Sequence, residues 1–151
     1  MAMARNYIQN YFKPRNTHKY RGDVNNIIYR SSWELRAFHW ADLNPSVVEW
    51  ASEEIVIPYI CETDNRPHRY FIDMYLKIKD KDGNIKTFLV EIKPFSQTQP
   101  PKFPGKQTKR YLTEVHTFIK NQSKWKAASR FAKQNGAEFV ILTEKELGIG
   151  R

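Results

Sequence analysis

Tyr70-Phe71-Ile72-Asp73-Met74-Tyr75-Leu76-Lys77-Ile78-Lys79 and Thr87-Phe88-Leu89-Val90-Glu91-Ile92-Lys93 are two runs of alternating character, separated by a short polar link. The first reads as a strand with Tyr70, Ile72, Met74, Leu76 and Ile78 on one face and Asp73 on the other. The second puts Phe88, Val90 and Ile92 on one face, so Glu91 and Lys93 project together from the opposite one. Asp82-Gly83 in the link is a hairpin signal. A two-residue loop there would set Asp73 opposite Ile92. A three-residue loop, Lys81-Asp82-Gly83 with Gly83 left-handed in a bulge, sets Asp73 opposite Glu91, and directly paired residues point to the same face. The longer loop is the expected one.

Two carboxylates facing each other on adjacent strands repel unless a cation lies between them, and hard oxygen donors favour magnesium or manganese. Lys93, one pleat beyond Glu91, would then reach an attacking water or a scissile phosphate. An edge hairpin with solvated charges accounts for these residues equally well, so the hairpin alone leaves both readings open.

At 151 residues the chain has the size of one domain, 1–151, with 40% hydrophobic and 14% aromatic residues arguing against disorder. The formal net charge of +9 is unevenly placed. Residues 1–30 carry six Lys or Arg against Asp23 alone, and residues 102–133 carry nine against Glu114 alone. Residues 31–101 reverse this, with eleven acids against eight bases. An acidic centre between basic flanks suits a metal site served by a phosphate-binding surface. Cys61 is the single cysteine, which leaves no internal disulfide, suggests no thiolate metal site and favours a reducing compartment. No signal-peptide run or membrane span is visible, so a soluble intracellular protein with no membrane partner is expected.

Residues 1–26 read as an irregular basic arm mixing cations with aromatics, either packed on the domain through its tyrosines or contacting phosphate. A helix is predicted from Ser31 or Ser32 to Ala41, with Trp33, Ala37, Trp40 and Ala41 as its apolar face. Glu34 on that helix either closes a capping box with Ser31 or stands as a third acid over the metal site. Val48 to Tyr59 reads as one strand, on which Glu53 and Glu54 must point to opposite faces. Cys61 to His68 reads as a polar connection, and His18, His39, His68 and His116 show no metal-ligand spacing. Three prolines between Phe95 and Gly105 predict a stiff irregular loop beside the candidate site. Helical spacing returns in Tyr111, Leu112, Val115, Phe118 and Ile119, then in Trp125, Ala128 and Ala132. The two stripes are out of phase, which predicts a break at Asn121-Gln122-Ser123 with Ser123 capping the second piece. Glu138 to Leu142 is a buried strand, and Thr143-x-x-Glu146 a capping box.

The order α, β, β, β, α, β, with Glu34 on the first helix, Asp73 on the second strand and Glu91-Ile92-Lys93 on the third, resembles the αβββαβ core of the PD-(D/E)XK nucleases. Ile72 stands where that superfamily's name has proline. More narrowly, Arg30-Ser31-Ser32-Trp33-Glu34, Trp50 to Tyr59, His68-Arg69-Tyr70 and Glu91-Ile92-Lys93-Pro94 resemble the head completion nucleases of T-even-like bacteriophages. The resemblance implies a restriction-endonuclease-like α/β fold, a mixed four-stranded sheet flanked by helices, and a DNA endonuclease that finishes filled phage heads. It implies Glu34, Asp73, Glu91 and Lys93 as the catalytic set. Asp73, Glu91, Glu34 and the Ile92 carbonyl would hold Mg2+, with Mn2+ as an alternative. Arg30, Lys102, Lys106, Lys109, Arg110, Lys120 and Lys124 are the expected contacts to DNA, double-stranded and read through its backbone. Head or portal proteins are implied as partners, and the cytoplasm of the infected host, with virion association, as the place of action. A non-catalytic DNA-end-binding or head-structural protein on the same fold is the rival reading, and an RNA-processing nuclease a third.

Overall fold

The computed structural model describes residues 10–148, so the first part of the expected basic arm, residues 1–9, lies outside it. Strands β1 (Asn10–Tyr11) and β2 (Ile28–Tyr29) form a small antiparallel pair, followed by helix α1 (Ser32–Leu43) and strand β3 (Val47–Ser52). Strands β4 (Val56–Cys61) and β5 (Arg66–Phe71) precede β6 (Met74–Lys79) and β7 (Ile85–Ile92). Helix α2 (Lys109–Gln134), strand β8 (Glu138–Leu142) and the short helix α3 (Glu144–Leu147) complete the order. The four-stranded sheet runs β3-β6-β7-β8, antiparallel except for the parallel β7-β8 pair, and β4 and β5 make a separate antiparallel hairpin. This is a mixed sheet flanked by helices, the αβββαβ arrangement, with the β4-β5 hairpin inserted between the first two sheet strands. No helix among the described residues is long and apolar enough to cross a membrane.

The hairpin register follows the three-residue loop. Met74 pairs with Val90 and Lys79 with Ile85, while the Asp80 amide donates to the Asn84 carbonyl at 2.8 Å. Gly83 takes the left-handed φ of +83° that closes such a turn, and Asp80 Oδ1 accepts the amides of Asp82 and Asn84, both at 2.9 Å. Carrying the register one residue beyond Met74 sets Asp73 opposite Glu91.

Two expected strands are each broken in two, at matching points. The run from Val48 to Tyr59 divides at Glu53, which has a left-handed φ of +54°. The run from Tyr70 to Lys79 divides at Ile72 and Asp73. The Glu53 amide donates to the Asp73 carbonyl at 3.4 Å and the Ile72 amide to the Ile55 carbonyl at 3.0 Å, so the two breaks bridge each other. Both chain segments thereby pass from the main sheet into the β4-β5 hairpin. Between β5 and β6 the apolar alternation hides this, because Tyr70, Ile72 and Met74 stay in phase through the break.

The described part of the arm, residues 10–26, is anchored at a few points, while Tyr11, Lys13, Arg15 and Arg21 are exposed. Phe12, Tyr20 and Ile27 are buried, and Phe12, Tyr20 and Phe38 surround the Trp50 indole with centroid separations of 4.8–5.8 Å. Lys19 is buried too, its ammonium donating to the carbonyls of Asp42 and Asn44 at 3.0 and 2.7 Å where α1 ends. The buried face of α1 is Ala37, Phe38 and Ala41; Trp33 is only half-buried and Trp40 is exposed, contrary to the expected stripe. A single 3₁₀ turn, Phe95–Thr98, sits in the stretch expected to be irregular, ahead of the prolines.

Helix α2 is continuous, so the predicted break at Asn121 to Ser123 is absent. Ser123 caps nothing: its hydroxyl donates to the Ile119 carbonyl at 3.1 Å and accepts the Glu62 amide at 3.2 Å. The two apolar stripes are out of phase because they serve different surroundings. Tyr111, Val115 and Phe118 are half-buried, whereas Trp125, Ala128 and Ala132 enter the core.

Asp42, 1% exposed, ties the arm to α1 by accepting the amides of Arg15 and Asn16 at 2.8 and 2.9 Å. Asp42→Ala strands both donors, and stability measured by urea unfolding is expected to fall by ~2–4 kcal/mol. The arm should become the first site of proteolysis.

Candidate active site

The strand break gives Asp73 its role. Released from the ladder, its carboxylate turns back on the neighbouring strand, where Oδ2 accepts the Ile92 amide at 2.8 Å. Glu91, on β7, is 6% exposed, and its Oε2 lies 3.5 Å from the Lys93 ammonium. Asp73, Glu91 and Lys93 thus share one end of one sheet face, as the period-two alternation predicts.

Glu34 projects from the first turn of α1. Ser31 caps that helix by accepting the Glu34 amide at 3.1 Å, but the Glu34 carboxylate accepts the Arg30 amide, also at 3.1 Å, so the reciprocal bond of a capping box is missing. The third acid is felt electrostatically by the other two, but the three carboxylates do not all come within 4.8 Å of one another. Burial pushes the Glu34 carboxyl up, and the charges of Glu53 and Glu91 add to the rise against the Arg30 amide and guanidinium. Asp73 is lifted well above the usual carboxylate range, by burial first and the charge of Glu91 second; Glu34 contributes, and the Ile92 amide and Lys93 oppose.

Two neighbours were not among the expected site residues. The Tyr70 hydroxyl donates to Glu91 Oε1, and burial with the adjacent Glu91 charge raises the phenol's pKa, so it stays a donor. Read as one unbroken strand, the sequence put Tyr70 and Asp73 on opposite faces; the break at Ile72 and Asp73 is what reunites them. Glu53, the other residue, adds its charge beside Glu34 and pairs with the exposed Arg30 guanidinium. Glu54 points elsewhere: its carboxylate lies so close to Gly22, where φ is +134°, that a Cβ there would sit 2.6 Å from Oε1.

The expected DNA contacts divide by exposure. Lys102, Lys106, Lys109 and Arg110 are exposed, the last lying 3.6 Å from Glu114. Lys120 and Lys124 are half-buried on α2. Burial lowers the pKa of the Lys124 ammonium, with Lys120 adding to the effect, while Glu91 and Asp73 pull it back. Lys124 therefore faces the acids, whereas Arg30 is already engaged by Glu53.

A second cluster lies at the tip of the β4-β5 hairpin. Ligating atoms of Cys61, Asp64 and His68 lie within 4.8 Å of one another, and the cluster could coordinate a divalent metal. This corrects the expectation that neither Cys61 nor the histidines offer a metal site, for the left-handed turn at Asn65 folds the two strand ends together. Each donor is already engaged within the hairpin, Cys61 Sγ with Thr63 Oγ1 at 2.9 Å and His68 Nε2 with Asp64 Oδ2 at 2.8 Å. A thiolate also suits zinc better than magnesium.

Comparison with known proteins places the chain among nucleases. The family model described as TnsA-like endonuclease N terminal matches residues 44–144, a span from just before β3 to the start of α3. The chain belongs to this endonuclease family. It is also 44% identical, over 138 residues and 89% of each chain, to the head completion nuclease of Enterobacteria phage T4. The nuclease fold is thus of the PD-(D/E)XK type, homologous to that of the T4 protein, and the enzyme is a metal-dependent nuclease.

A carboxyl with a raised folded-state pKa retains its proton to higher pH than in the unfolded chain. Its contribution to stability is present below the unfolded value near 4 and is lost as pH rises through the folded one. Without divalent metal, stability should therefore decline as pH rises from about 4 toward neutrality. Asp73→Asn, which keeps the acceptor for Ile92, should raise Tm at pH 7 in EDTA by roughly 2–5 °C. An unchanged or lowered Tm would show that the pair is not repulsive.

Proposed function

We propose that this protein hydrolyses phosphodiester bonds of DNA as a magnesium-dependent endonuclease, with Mn2+ able to substitute, in the completion of filled phage heads. The placement of Asp73 opposite Glu91, with the Lys93 ammonium beside them, carries the reading. The donor set fits a small hard cation: the Ile92 amide leaves one Asp73 oxygen and the Tyr70 hydroxyl one Glu91 oxygen, the latter 3.5 Å from the Lys93 ammonium, and among the described residues no His or Cys clusters with them. Asp73 and Glu91 would hold the ion, with Glu34 and the Ile92 carbonyl completing the oxygen donors. When bound, it supplies charge neutralisation and lowers the pKa of a water.

The chain's own groups do the remainder. The Ile92 amide fixes the Asp73 carboxylate and the Tyr70 hydroxyl fixes Glu91. Lys93 orients the attacking water or stabilises charge on the phosphoryl oxygens, a task for a compact ammonium. Lys102, Lys106, Lys109, Arg110 and Lys120 would hold the duplex through its phosphates, with Lys124 nearer the reacting bond and Arg30 available where DNA displaces Glu53. Such contacts carry little base information, so sequence preference is weak. Head or portal proteins would bring the enzyme to its DNA in the cytoplasm of the infected host, with retention in the virion.

With linear and supercoiled DNA, cleavage should require Mg2+ and stop with EDTA. Asp73→Asn and Lys93→Ala should each lower it by at least two orders of magnitude, Lys93→Ala with metal affinity largely kept. Equal processing by wild type and both variants, or none by any of them, overturns the enzyme reading in favour of a DNA-end-binding protein.

Binding in turn should weaken with salt. Five phosphates neutralised give a slope of about −4.5 for log affinity against log salt. Replacing Lys102, Lys106 and Lys109 together should flatten it by roughly one unit per lysine. A flat dependence in the wild type would count against a backbone-reading surface.

A further inference from the structure

Glu91 has two carboxylate oxygens, and the fold commits one of them. Oε1 accepts the Tyr70 hydroxyl, while Oε2 faces the Lys93 ammonium at 3.5 Å. The phenol has little freedom to leave. Tyr70 is 4% exposed, the Lys124 ammonium lies 5.4 Å from its ring centroid, and the buried Trp125 indole, whose N–H has no hydrogen-bond partner, acts on the hydroxyl from nearby. Asp73 repeats the arrangement across the pair, its Oδ2 held by the Ile92 amide at 2.8 Å. Each acid therefore has one oxygen already accepting from a fixed donor, which holds that oxygen's orientation and leaves it less free to turn onto a cation.

Calcium takes six to eight oxygens and commonly both from one carboxylate, whereas magnesium requires near-octahedral geometry and fills its remaining positions with water. We propose that Tyr70 is a positioning residue that restricts Glu91 to a single ligating oxygen and so biases the Asp73–Glu91 site toward a small octahedral cation and against calcium. The inference rests on the metal-site reading of Asp73 and Glu91 given above. It assigns Tyr70 to the choice of ion and leaves the bond-breaking step to the groups already named.

The test is calorimetric titration of the whole protein, without DNA, using Mg2+ and Ca2+ against wild type, Tyr70→Phe and Asp73→Asn. Phenylalanine keeps the ring and removes only the donor. Magnesium affinity should fall about tenfold, as is usual on losing a partner of a ligating side chain, while calcium affinity holds or rises. The Mg2+/Ca2+ affinity ratio should therefore shift toward calcium by about tenfold or more. A folded Tyr70→Phe protein with an unchanged ratio overturns the proposal, even if both affinities drop, because that is what a merely structural tyrosine would do. Should the variant fail to fold, wild type decides: magnesium binding on even or better terms supports the proposal, and calcium bound more tightly overturns it. Asp73→Asn separates the two levels. If that change leaves wild-type binding of both ions intact, the metal-site reading itself fails; if it abolishes binding while Tyr70→Phe leaves the ratio unmoved, only the role of Tyr70 is lost.

Discussion

Asp73 and Glu91 repel each other, and the fold holds them together nonetheless. Burial and mutual charge raise the Asp73 carboxyl, so the ionised pair is a liability to the folded chain at neutral pH. Much of the surrounding structure offsets that repulsion. The Ile92 amide and Tyr70 hydroxyl each take one carboxylate oxygen, Lys93 sits beside Glu91, and the Lys124 ammonium approaches from α2. A site assembled only for stability would replace the pair by apolar groups of similar size, since buried charges seldom repay their desolvation.

The acids meet where a strand gives up its ladder. Asp73 can bend toward β7 because β5 and β6 are not one strand, and the break is tolerated because Glu53 makes the matching break between β3 and β4. The amides of Glu53 and Ile72 find carbonyl partners across the two interruptions, so neither break leaves them orphaned. A left-handed φ at a non-glycine residue such as Glu53 is strained, and it occurs where the segment leaves the sheet.

The sequence was legible where local rules decide. The Asp82-Gly83 turn, with its register, and the shared face of Glu91 and Lys93 follow from loop geometry and period-two alternation alone, and both appear as read. What was hidden depended on partners distant in sequence. The breaks at Glu53 and Asp73 carry no glycine or proline to mark them, and at Asp73 the alternation of Tyr70, Ile72 and Met74 runs straight through; at Glu53 the buried positions change phase, from Trp50 to Ile57 and Tyr59. Tyr70 was therefore assigned to the wrong surroundings. The phase shift in α2 was real, but its cause was the hairpin against the helix's later half rather than an interruption. Ser123, apparently placed to cap a helix, instead binds the Glu62 amide at the hairpin. Cys61 and His68 illustrate the same limit, since only the folded turn at Asn65 brings them near each other.

The uneven charge along the chain then acquires a spatial meaning. Eleven acids in residues 31–101 would repel DNA from the very place where its backbone must be cut. That repulsion is local, because Glu34, Asp73 and Glu91 gather at one end of the sheet while Glu53 is matched by Arg30 and Glu49 lies 3.9 Å from both Arg21 and Lys77. The exposed cations before and on the first turn of α2 stand clear of those pairings, Arg110 excepted. On the proposed function they would attract phosphate over a distance of order the Debye length, ~8 Å at physiological salt, whereas the acid cluster would act only at contact once a cation neutralised it. On that reading the continuous α2 would serve both, since it presents Lys109 at its exposed start and Lys124 beside Tyr70 further along. An interruption at Ser123 would uncouple them, which is a physical reason for the helix to remain unbroken despite the change in its apolar phase.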